Sequence, residues 1–335
     1  MKKILTGLTV VLLLALFFKT TAVRAEQVGE YAVSPLLPAY QTEGVEHFFD
    51  IRWTPKQTAE FGVRITNKTN VKTTYTLQLN KARTNRNGVI DYADSRPEAA
   101  QTRYKLTDLI KLPETVVVEG KSSVAVMGKI SFGAADFNGI LMGGIHVAKQ
   151  AETRSEGISH SVSYNLPLII RGNDDHRPVP QLAVTDVTVT PLKNNRGSVD
   201  LTLVNQDANF LKEVTFAAVI KNKQGDRMDS QTSQWDLTPE TAMQYPIKLN
   251  GRYRPGRYQV DLTVTHRTKG EWQFNETFEL TAAAANQLNQ KTTGSANSWI
   301  SVMLAGVILL AYFISKYVRR QYDKQGRRND TNINP

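Results

Sequence analysis

Apolar and polar residues alternate along most of this chain, as they do in β-strands that bury one face and expose the other. Over residues 272–280 one face carries large apolar side chains, namely Trp272, Phe274, Phe278 and Leu280. Residues 258–264 repeat the pattern with Tyr258, Val260, Leu262 and Val264. Turn sequences such as Asn87-Gly88 and Pro255-Gly256 separate the runs. Many short alternating strands divided by turns predict an all-β fold of packed antiparallel sheets.

A stretch of turn formers and prolines divides the alternating region in two. It reads GNDDHRPVP and occupies residues 172–180. We therefore predict two tandem immunoglobulin-like β-sandwich domains, at residues 30–171 and 181–281, with 172–180 as the linker. Residues 282–298 are polar and poor in bulky side chains, which favours a short stalk that is helical at its start.

The amino-terminal end is typical of a secretory signal. Lys2 and Lys3 precede an apolar run at residues 4–18, and small residues follow it up to Ala25. This order of charge, apolar run and small residues predicts a signal peptide over residues 1–25. The apolar run has 15 residues, which is short for a bilayer that needs about 20.

The carboxy-terminal end has the pattern of a membrane anchor. Residues 299–315 are uncharged and mostly apolar, and Lys316 can snorkel so that the span extends over residues 299–318. The basic residues that follow predict a cytoplasmic tail at 319–335, because positive charge stays inside. We therefore predict a single-pass type I protein of the cell membrane whose ectodomain faces outward, toward the cell wall.

The formal net charge of +10 comes mainly from these two ends. Residues 26–315 carry 31 basic and 29 acidic residues, so the ectodomain is nearly neutral. We therefore predict no nucleic-acid partner. The chain has no cysteine, which removes disulfides, thiol nucleophiles and thiolate metal sites.

The most distinctive polar segment, ARTNRNGVIDYAD, covers residues 82–94. Its Asn87-Gly88 pair predicts a hairpin with a type I′ turn, which needs positive φ at both positions. The segment lacks the acidic spacing of a helical calcium loop. Asp91 and Asp94 are too close in sequence to flank a glycosidic bond, unless a distant carboxylate joins one of them. A recognition loop and a plain turn remain as interpretations.

The other polar residues do not form a catalytic pattern. The 5 histidines are scattered and include no helical i,i+4 pair, so zinc is not predicted. Ser161 lies beside His160 but lacks the glycines of a nucleophile elbow, and adjacent strand residues point in opposite directions. We predict no catalytic residues, no metal and no cofactor, and hence a protein that is not an enzyme.

Residues 82–94 resemble the hallmark segment of the WxL-interacting proteins, cell-surface proteins of Gram-positive bacteria. Further similar segments follow in the family's order: VSPLLP at 33–38, FFDI at 48–51 and FNGILMGGIH at 137–146. The hairpin near the end of the second domain, RPGRYQVDLTV with WQFNETFEL, is also similar. The chain departs from the family at Tyr40, where asparagine is commoner.

The resemblance implies that the first domain binds peptidoglycan and that the second binds host extracellular proteins. It also implies association with secreted WxL-domain surface proteins. Asparagine and aspartate can bond glycan hydroxyls and amides, and a tyrosine ring can cover a sugar face. We therefore predict a recognition surface whose members are Thr84, Asn85, Asn87, Asp91, Tyr92, Asn138 and His146. The alternative for each residue is a purely local hydrogen bond that holds its loop.

Three functions are compatible with these observations. The first is a membrane-anchored adhesin or scaffold that connects the cell wall, partner proteins and host surfaces. The second is an extracytoplasmic assembly chaperone that works by strand addition, because tandem sandwiches also suit that task. The third is a cell-wall hydrolase, for which the sequence offers no defensible carboxylate pair.

Overall fold

The computed structural model describes residues 29–99, 102–150, 162–173, 179–194, 196–290, 306 and 308–317. The predicted signal peptide and cytoplasmic tail lie outside the described residues. Residues 174–178 of the predicted linker also lie outside them. The described chain is dominated by β-strands in two packed pairs of sheets, in agreement with the all-β prediction.

The first sandwich contains nine strands, a short hairpin and one short helix. In chain order they are β1 (Tyr31–Leu36), β2 (Phe49–Arg52), β3 (Thr58–Asn67), β4 (Thr73–Lys81), β5 (Arg83–Thr84), β6 (Ile90–Asp91), α1 (Leu106–Leu109), β7 (Ile110–Lys111), β8 (Thr115–Val118), β9 (Ser123–Ser131), β10 (Ile140–Lys149) and β11 (Ser163–Arg171). One sheet has the order β1-β3-β9-β7 and the other β2-β11-β10-β4-β8. All pairs are antiparallel except β2 with β11.

Alternation along the strands places the core of the first sandwich between its two sheets. In β4, Thr73, Tyr75 and Leu77 are buried, while Gln78 faces solvent. Val71, which the alternation also assigns to the inner face, lies before the strand begins and is exposed. The inner faces meet in contacts such as Phe49 against Phe61, whose ring centroids are 5.3 Å apart.

The second sandwich contains seven strands and a helix. They are β12 (Leu182–Leu192), β13 (Arg196–Asn205), β14 (Leu211–Lys221), β15 (Arg227–Leu237), β16 (Thr241–Leu249), β17 (Gly256–His266), β18 (Gly270–Leu280) and α2 (Ala282–Asn289). The two sheets have the orders β12-β13-β16 and β15-β14-β17-β18. Aromatic side chains pack at the centre of the core between these sheets. The ring centroid of Tyr245 lies 4.8 Å from that of Phe216 and 5.1 Å from that of Trp235.

Helix α2 begins where the polar segment predicted as a stalk begins. The Thr281 hydroxyl accepts a hydrogen bond from the Ala284 N–H and caps the helix. Ala285 and Leu288 are buried in the core of the second sandwich, and Asn289 donates to the Tyr253 carbonyl over 2.7 Å. The first turns of the expected stalk are therefore part of the folded domain and do not separate it from the next segment.

A further helix covers residues 308–317, inside the predicted membrane span. Its described side chains are exposed. Among the described residues, no helix combines the length and the apolarity that crossing a bilayer requires.

Candidate functional site

The β5–β6 hairpin, residues 83–91, turns through a loop that contains one left-handed glycine. The Gly88 N–H donates to the Asn85 carbonyl over 3.0 Å, and the Asn85 N–H donates to the Val89 carbonyl over 2.9 Å. Gly88 has φ +80°, whereas Asn87 is not among the residues of positive φ. The predicted hairpin is present, but its loop is the longer kind with glycine in the last position, and the predicted type I′ turn was wrong.

This hairpin reaches across to the second sandwich, and we call it the clasp hairpin. The Thr84 hydroxyl donates to the Asp236 carbonyl over 2.6 Å and accepts from the Thr238 N–H over 3.1 Å. The Gly88 carbonyl accepts from the Asp236 N–H over 3.0 Å. A Cβ on Gly88 would lie 2.7 Å from the Trp235 ring. The hairpin backbone therefore packs directly on the end of β15.

An apolar contact beside the clasp hairpin completes the junction of the two sandwiches. Ala82, Ile140 and Met142 are buried together, and Phe210 from the second sandwich packs on them. The Ile140 N–H donates to the Ala208 carbonyl over 2.7 Å. The junction thus combines a small apolar cluster with main-chain hydrogen bonds, which favours one fixed arrangement of the two domains.

A polar cleft of about 360 Å³ lies between the clasp hairpin and the edge strand β16. Its volume is within the range of small-ligand sites, which extends from about 300 to 1,000 Å³. The first sandwich contributes Arg83, Thr84, Asn85, Arg86, Asp91, Asp94 and Arg96. The second sandwich contributes Thr202, Ala242, Met243 and Gln244. Both domains therefore form the walls.

Arg86 connects the two walls of the cleft. Its guanidinium donates to Asp200 Oδ1 over 2.8 Å and to Gln244 Oε1 over 2.5 Å. The Asp200 side chain is only 4% exposed, and its other oxygen accepts from the Thr190 hydroxyl over 3.0 Å. A buried carboxylate is costly without a cation and hydrogen bonds, and Arg86 and Thr190 supply these to Asp200 and fix its position.

Arg83, Asp94 and Arg96 form a second charged group in the lining of the cleft. The Arg96 guanidinium donates to both oxygens of Asp94, and this hydrogen bonding lowers the pKa of the Asp94 carboxyl. Arg83 donates to the Pro97 carbonyl over 2.7 Å. Its buried Nε has no hydrogen-bond partner among the described residues and lies 3.8 Å from Asp94.

The structure brings three of the seven predicted site residues together. Thr84, Asn85 and Asp91 line the cleft. Asn85 Oδ1 also accepts from the Asn87 N–H over 2.9 Å, and Asp91 Oδ1 accepts from the Ala93 N–H over 2.8 Å. Asn85 and Asp91 therefore each hold a turn through a local hydrogen bond and also face the cleft. The alternative of a purely local hydrogen bond thus accounts for part of what each side chain does.

The remaining four predicted residues lie apart from the cleft. Asn87 is in the hairpin loop but does not line the cleft. Tyr92 packs against Gly144, where an added Cβ would lie 2.8 Å from its ring, and burial raises its pKa. Asn138 is exposed in the loop before β10. His146 lies on β10, where its Nδ1 is 2.7 Å from Asn165 Oδ1.

The sequence-based prediction did not include the charged walls of the cleft. Four of these charged residues lie within residues 82–94 or shortly after them: Arg83, Arg86, Asp94 and Arg96. Their clustering around Asn87-Gly88 was the sequence signal that could have identified them. The second-domain residues, Thr202 and 242–244, carry no local signal, because they are ordinary strand positions until the clasp hairpin is placed beside them.

A second ionic contact crosses the junction between Lys81 and Glu240. Lys81 Nζ and Glu240 Oε2 are 3.8 Å apart, and neither atom has a hydrogen-bond partner among the described residues. Burial raises the pKa of the Glu240 carboxyl, and burial also lowers the pKa of the Lys81 ammonium. Neighbouring groups also act on the pKa of Glu240. The charge of Lys81 and a hydrogen bond from the Arg103 N–H lower it, whereas the charges of Glu98 and Asp207 raise it.

We expect the Glu240 carboxyl to weaken the junction as the pH rises. Because its pKa is raised in the folded state, the stability that it contributes is complete below its unfolded pKa of about 4.3 and is lost as the pH rises through the folded pKa. Urea unfolding of the wild type and of Glu240→Gln, measured between pH 4 and pH 7, checks this. The variant should lose less stability over that interval, and parallel curves for the two proteins would contradict the expectation.

The fold and the cleft together define a class of protein: two tandem β-sandwiches joined through a hairpin, with a polar cleft at their junction. The family model described as WxL Interacting Protein, peptidoglycan binding domain, matches residues 31–149. The model described as WxL Interacting Protein, host binding domain, matches residues 153–290. The chain therefore belongs to the WxL Interacting Protein family, and the resemblance predicted from the sequence is confirmed.

The boundary between the two family matches differs from the boundary between the two sandwiches. Strand β11 lies within the match to the second family domain, yet it pairs with β10 and β2 in the first sandwich. The segment named after host binding thus supplies an interior strand to the domain named after peptidoglycan binding. The first sandwich therefore takes one strand from beyond the family boundary, and the two family matches do not coincide with the two sandwiches.

Comparison with solved structures gives distant similarities. A chaperone–tip adhesin complex of CFA/I fimbriae biogenesis has 9% identity and a TM-score of 0.32, covering 73% of this chain and 98% of that chain. The E. coli chaperone DraB has 14% identity and a TM-score of 0.28, covering 69% of this chain and 94% of that chain. No curated protein sequence matches the chain.

Proposed function

We propose that the protein is a non-enzymatic, membrane-anchored adhesin or scaffold of the cell surface, which binds peptidoglycan through its first domain. WxL-domain surface proteins or host extracellular proteins are its partners through the ectodomain. The observation that supports this function best is the ordered match of a peptidoglycan-binding and a host-binding family domain across residues 31–290. Residues 299–318 act as the anchor, with the ectodomain outside and the tail in the cytoplasm.

We further propose that the cleft at the clasp hairpin contacts the wall polymer. Its lining offers arginine donors, carboxylate acceptors and the amide of Gln244. Peptidoglycan combines sugar hydroxyls and amides with peptide carboxylates, and guanidinium groups bind carboxylates with two parallel hydrogen bonds. Arg96, whose side chain is 69% exposed, supplies a guanidinium that such a group can reach. The described lining of the cleft includes no aromatic side chain, so recognition there depends on polar groups.

Isolated sacculi test the function as a whole. Residues 26–290 contain both sandwiches and α2, and we expect this fragment to be retained on sacculi without releasing soluble fragments. Release of muropeptides would instead indicate a hydrolase. Binding that occurs only with unfolded surface-protein subunits, and not with sacculi, would indicate the assembly chaperone.

A matched pair of substitutions tests the location. Ala242 is exposed on β16 and lines the cleft, whereas Ala125 is exposed on β9 and lies outside it. We expect Ala242→Trp to weaken retention on sacculi at least tenfold by filling the cleft, and Ala125→Trp to leave it unchanged. Both variants should keep the wild-type melting temperature. Equal retention of the two variants would place the binding surface elsewhere in the first domain.

A further inference from the structure

A groove in the first sandwich lies apart from the cleft and exposes the edge of a sheet. It has a volume of about 690 Å³. Strand β4 forms its floor, and its walls come from α1, β7 and the segment before β8. The lining residues are Thr76, Leu77, Gln78, Leu79, Thr107, Ile110, Lys111, Leu112, Glu114 and Thr115.

The groove exists because β8 covers only half of β4. The pairing of these strands ends at Thr76 with Thr115, and the last main-chain bond runs from the Leu77 N–H to the Glu114 carbonyl over 2.7 Å. In this register the next hydrogen-bonded partner would be Leu112 opposite Leu79, and no main-chain bond joins these two described residues. The chain arrives there from β7, which belongs to the opposite sheet. Crossing between the sheets leaves the rest of the β4 edge open.

The direction of the main-chain groups of Leu79 follows from the pairing. Successive residues of a strand point their N–H and C=O to opposite neighbours. Leu77 points toward β8, so Leu79 points the same way, into the groove. Among the described residues, none forms a main-chain or side-chain hydrogen bond with Leu79 on this side. One donor and one acceptor therefore face the groove at the spacing of a β-ladder.

Two long edge strands of the second sandwich, β12 and β18, carry features that protect against pairing. Strand β12 has a bulge between Val184 and Asp186 and contains Pro191. Strand β18 carries Glu276 on the same face as Phe274 and Phe278, an inward-pointing charge. Bulges, prolines and inward charges are the devices that prevent strand addition. Beyond Thr76, the described part of β4 has no bulge and no proline, and its inward-pointing charge, Lys81, lies at the end of the strand, two residues past Leu79.

We propose that this groove binds a short extended segment of another polypeptide, which adds to β4 as a strand in line with β8. An extended backbone offers an acceptor and a donor at the spacing that Leu79 presents. The lining is uncharged apart from Lys111 and Glu114, whose charges are opposite, and Lys111 donates to the Thr107 carbonyl over 2.8 Å. The segment therefore carries uncharged side chains. This binding goes beyond the proposed attachment to the wall and does not depend on it.

Amide hydrogen exchange of the full-length chain in detergent tests the proposal, with a set of acetylated, amidated pentapeptides of alternating Thr or Gln and Val or Leu as probes. We expect at least one probe to slow exchange of the Leu79 amide at least tenfold. The same peptide with alternate N-methylated amides, which cannot pair along one edge, should have no effect. Failure of every probe at millimolar concentration to protect Leu79 would overturn the proposal.

Two tryptophan substitutions on one strand give the matched control. Thr115 lines the groove and Val117, two residues further on the same face of β8, does not. We expect Thr115→Trp to abolish protection of Leu79 and Val117→Trp to retain it. Loss in both variants, or in neither, would contradict the proposed position. Sedimentation distinguishes another occupant, because self-association that protects Leu79 without a probe would assign the groove to a second copy and overturn the proposal.

Discussion

Replacing Gly88 by alanine is expected to open the junction between the two sandwiches. The new Cβ would lie 2.7 Å from the Trp235 ring, and the residue would have to keep φ +80°. Left-handed backbone costs an L-residue about 1–2 kcal/mol, and forcing an extra methyl into a packed contact costs about 1–3 kcal/mol. We therefore expect a loss of about 3 kcal/mol in the free energy of unfolding. Urea unfolding and the indole N–H resonance of Trp235 report it.

Gly225 provides the control for this experiment. It has a similar φ of +89°, but an added Cβ there would meet nothing within 4 Å. Gly225→Ala should therefore show only the backbone cost of about 1–2 kcal/mol and leave the Trp235 resonance in place. If the two variants lose the same stability, the contact of Gly88 with Trp235 contributes nothing and the clasp hairpin does not depend on it.

Replacing Thr84 by valine is expected to have an effect of the same order. Valine keeps the shape of the buried side chain but removes the hydroxyl that bonds both the Asp236 carbonyl and the Thr238 N–H. An unsatisfied buried group costs about 1–3 kcal/mol, so two of them should cost about 3 kcal/mol. Limited proteolysis should then cut the chain between the sandwiches faster than in the wild type.

Thr84→Ser separates the hydrogen bonds from the packing. Serine keeps the hydroxyl and loses one methyl group, so it should lose about 1 kcal/mol and resist proteolysis nearly as well as the wild type. A serine variant as sensitive as the valine variant would show that the methyl contact, and not the hydroxyl, holds the hairpin to β15.

The strands of this protein could be predicted from sequence because alternation is a local property. Tyr258, Val260, Leu262 and Val264 are all buried in β17, as their spacing predicted. Each of these residues only has to be apolar and to face the inside of its sheet. This requirement is the same whichever sheet packs opposite. The order of the strands and the single parallel pair depend on distant segments, and no local pattern encodes them.

The role of residues 82–94 could be predicted only in part, for a physical reason. Polar loop residues look the same in sequence whether they face solvent, a ligand or another domain. Thr84 bonds residues 152 and 154 positions away, Asp236 and Thr238, and nothing in the intervening sequence announces those contacts. Helix α2 shows the same limit, because Ala285 and Leu288 are too few to reveal that the segment is buried.

The position of α2 has a mechanical consequence. The clasp hairpin meets the second sandwich at the start of β16, whereas α2 binds at the far end, where the Asn194 N–H donates to the Gln290 carbonyl. Tension between a wall-bound first domain and the carboxy-terminal segment would therefore pull along the lengths of the strands. The force would then act in shear on the ladder hydrogen bonds of β13, β14 and β17. These bonds would have to break together and not one after another.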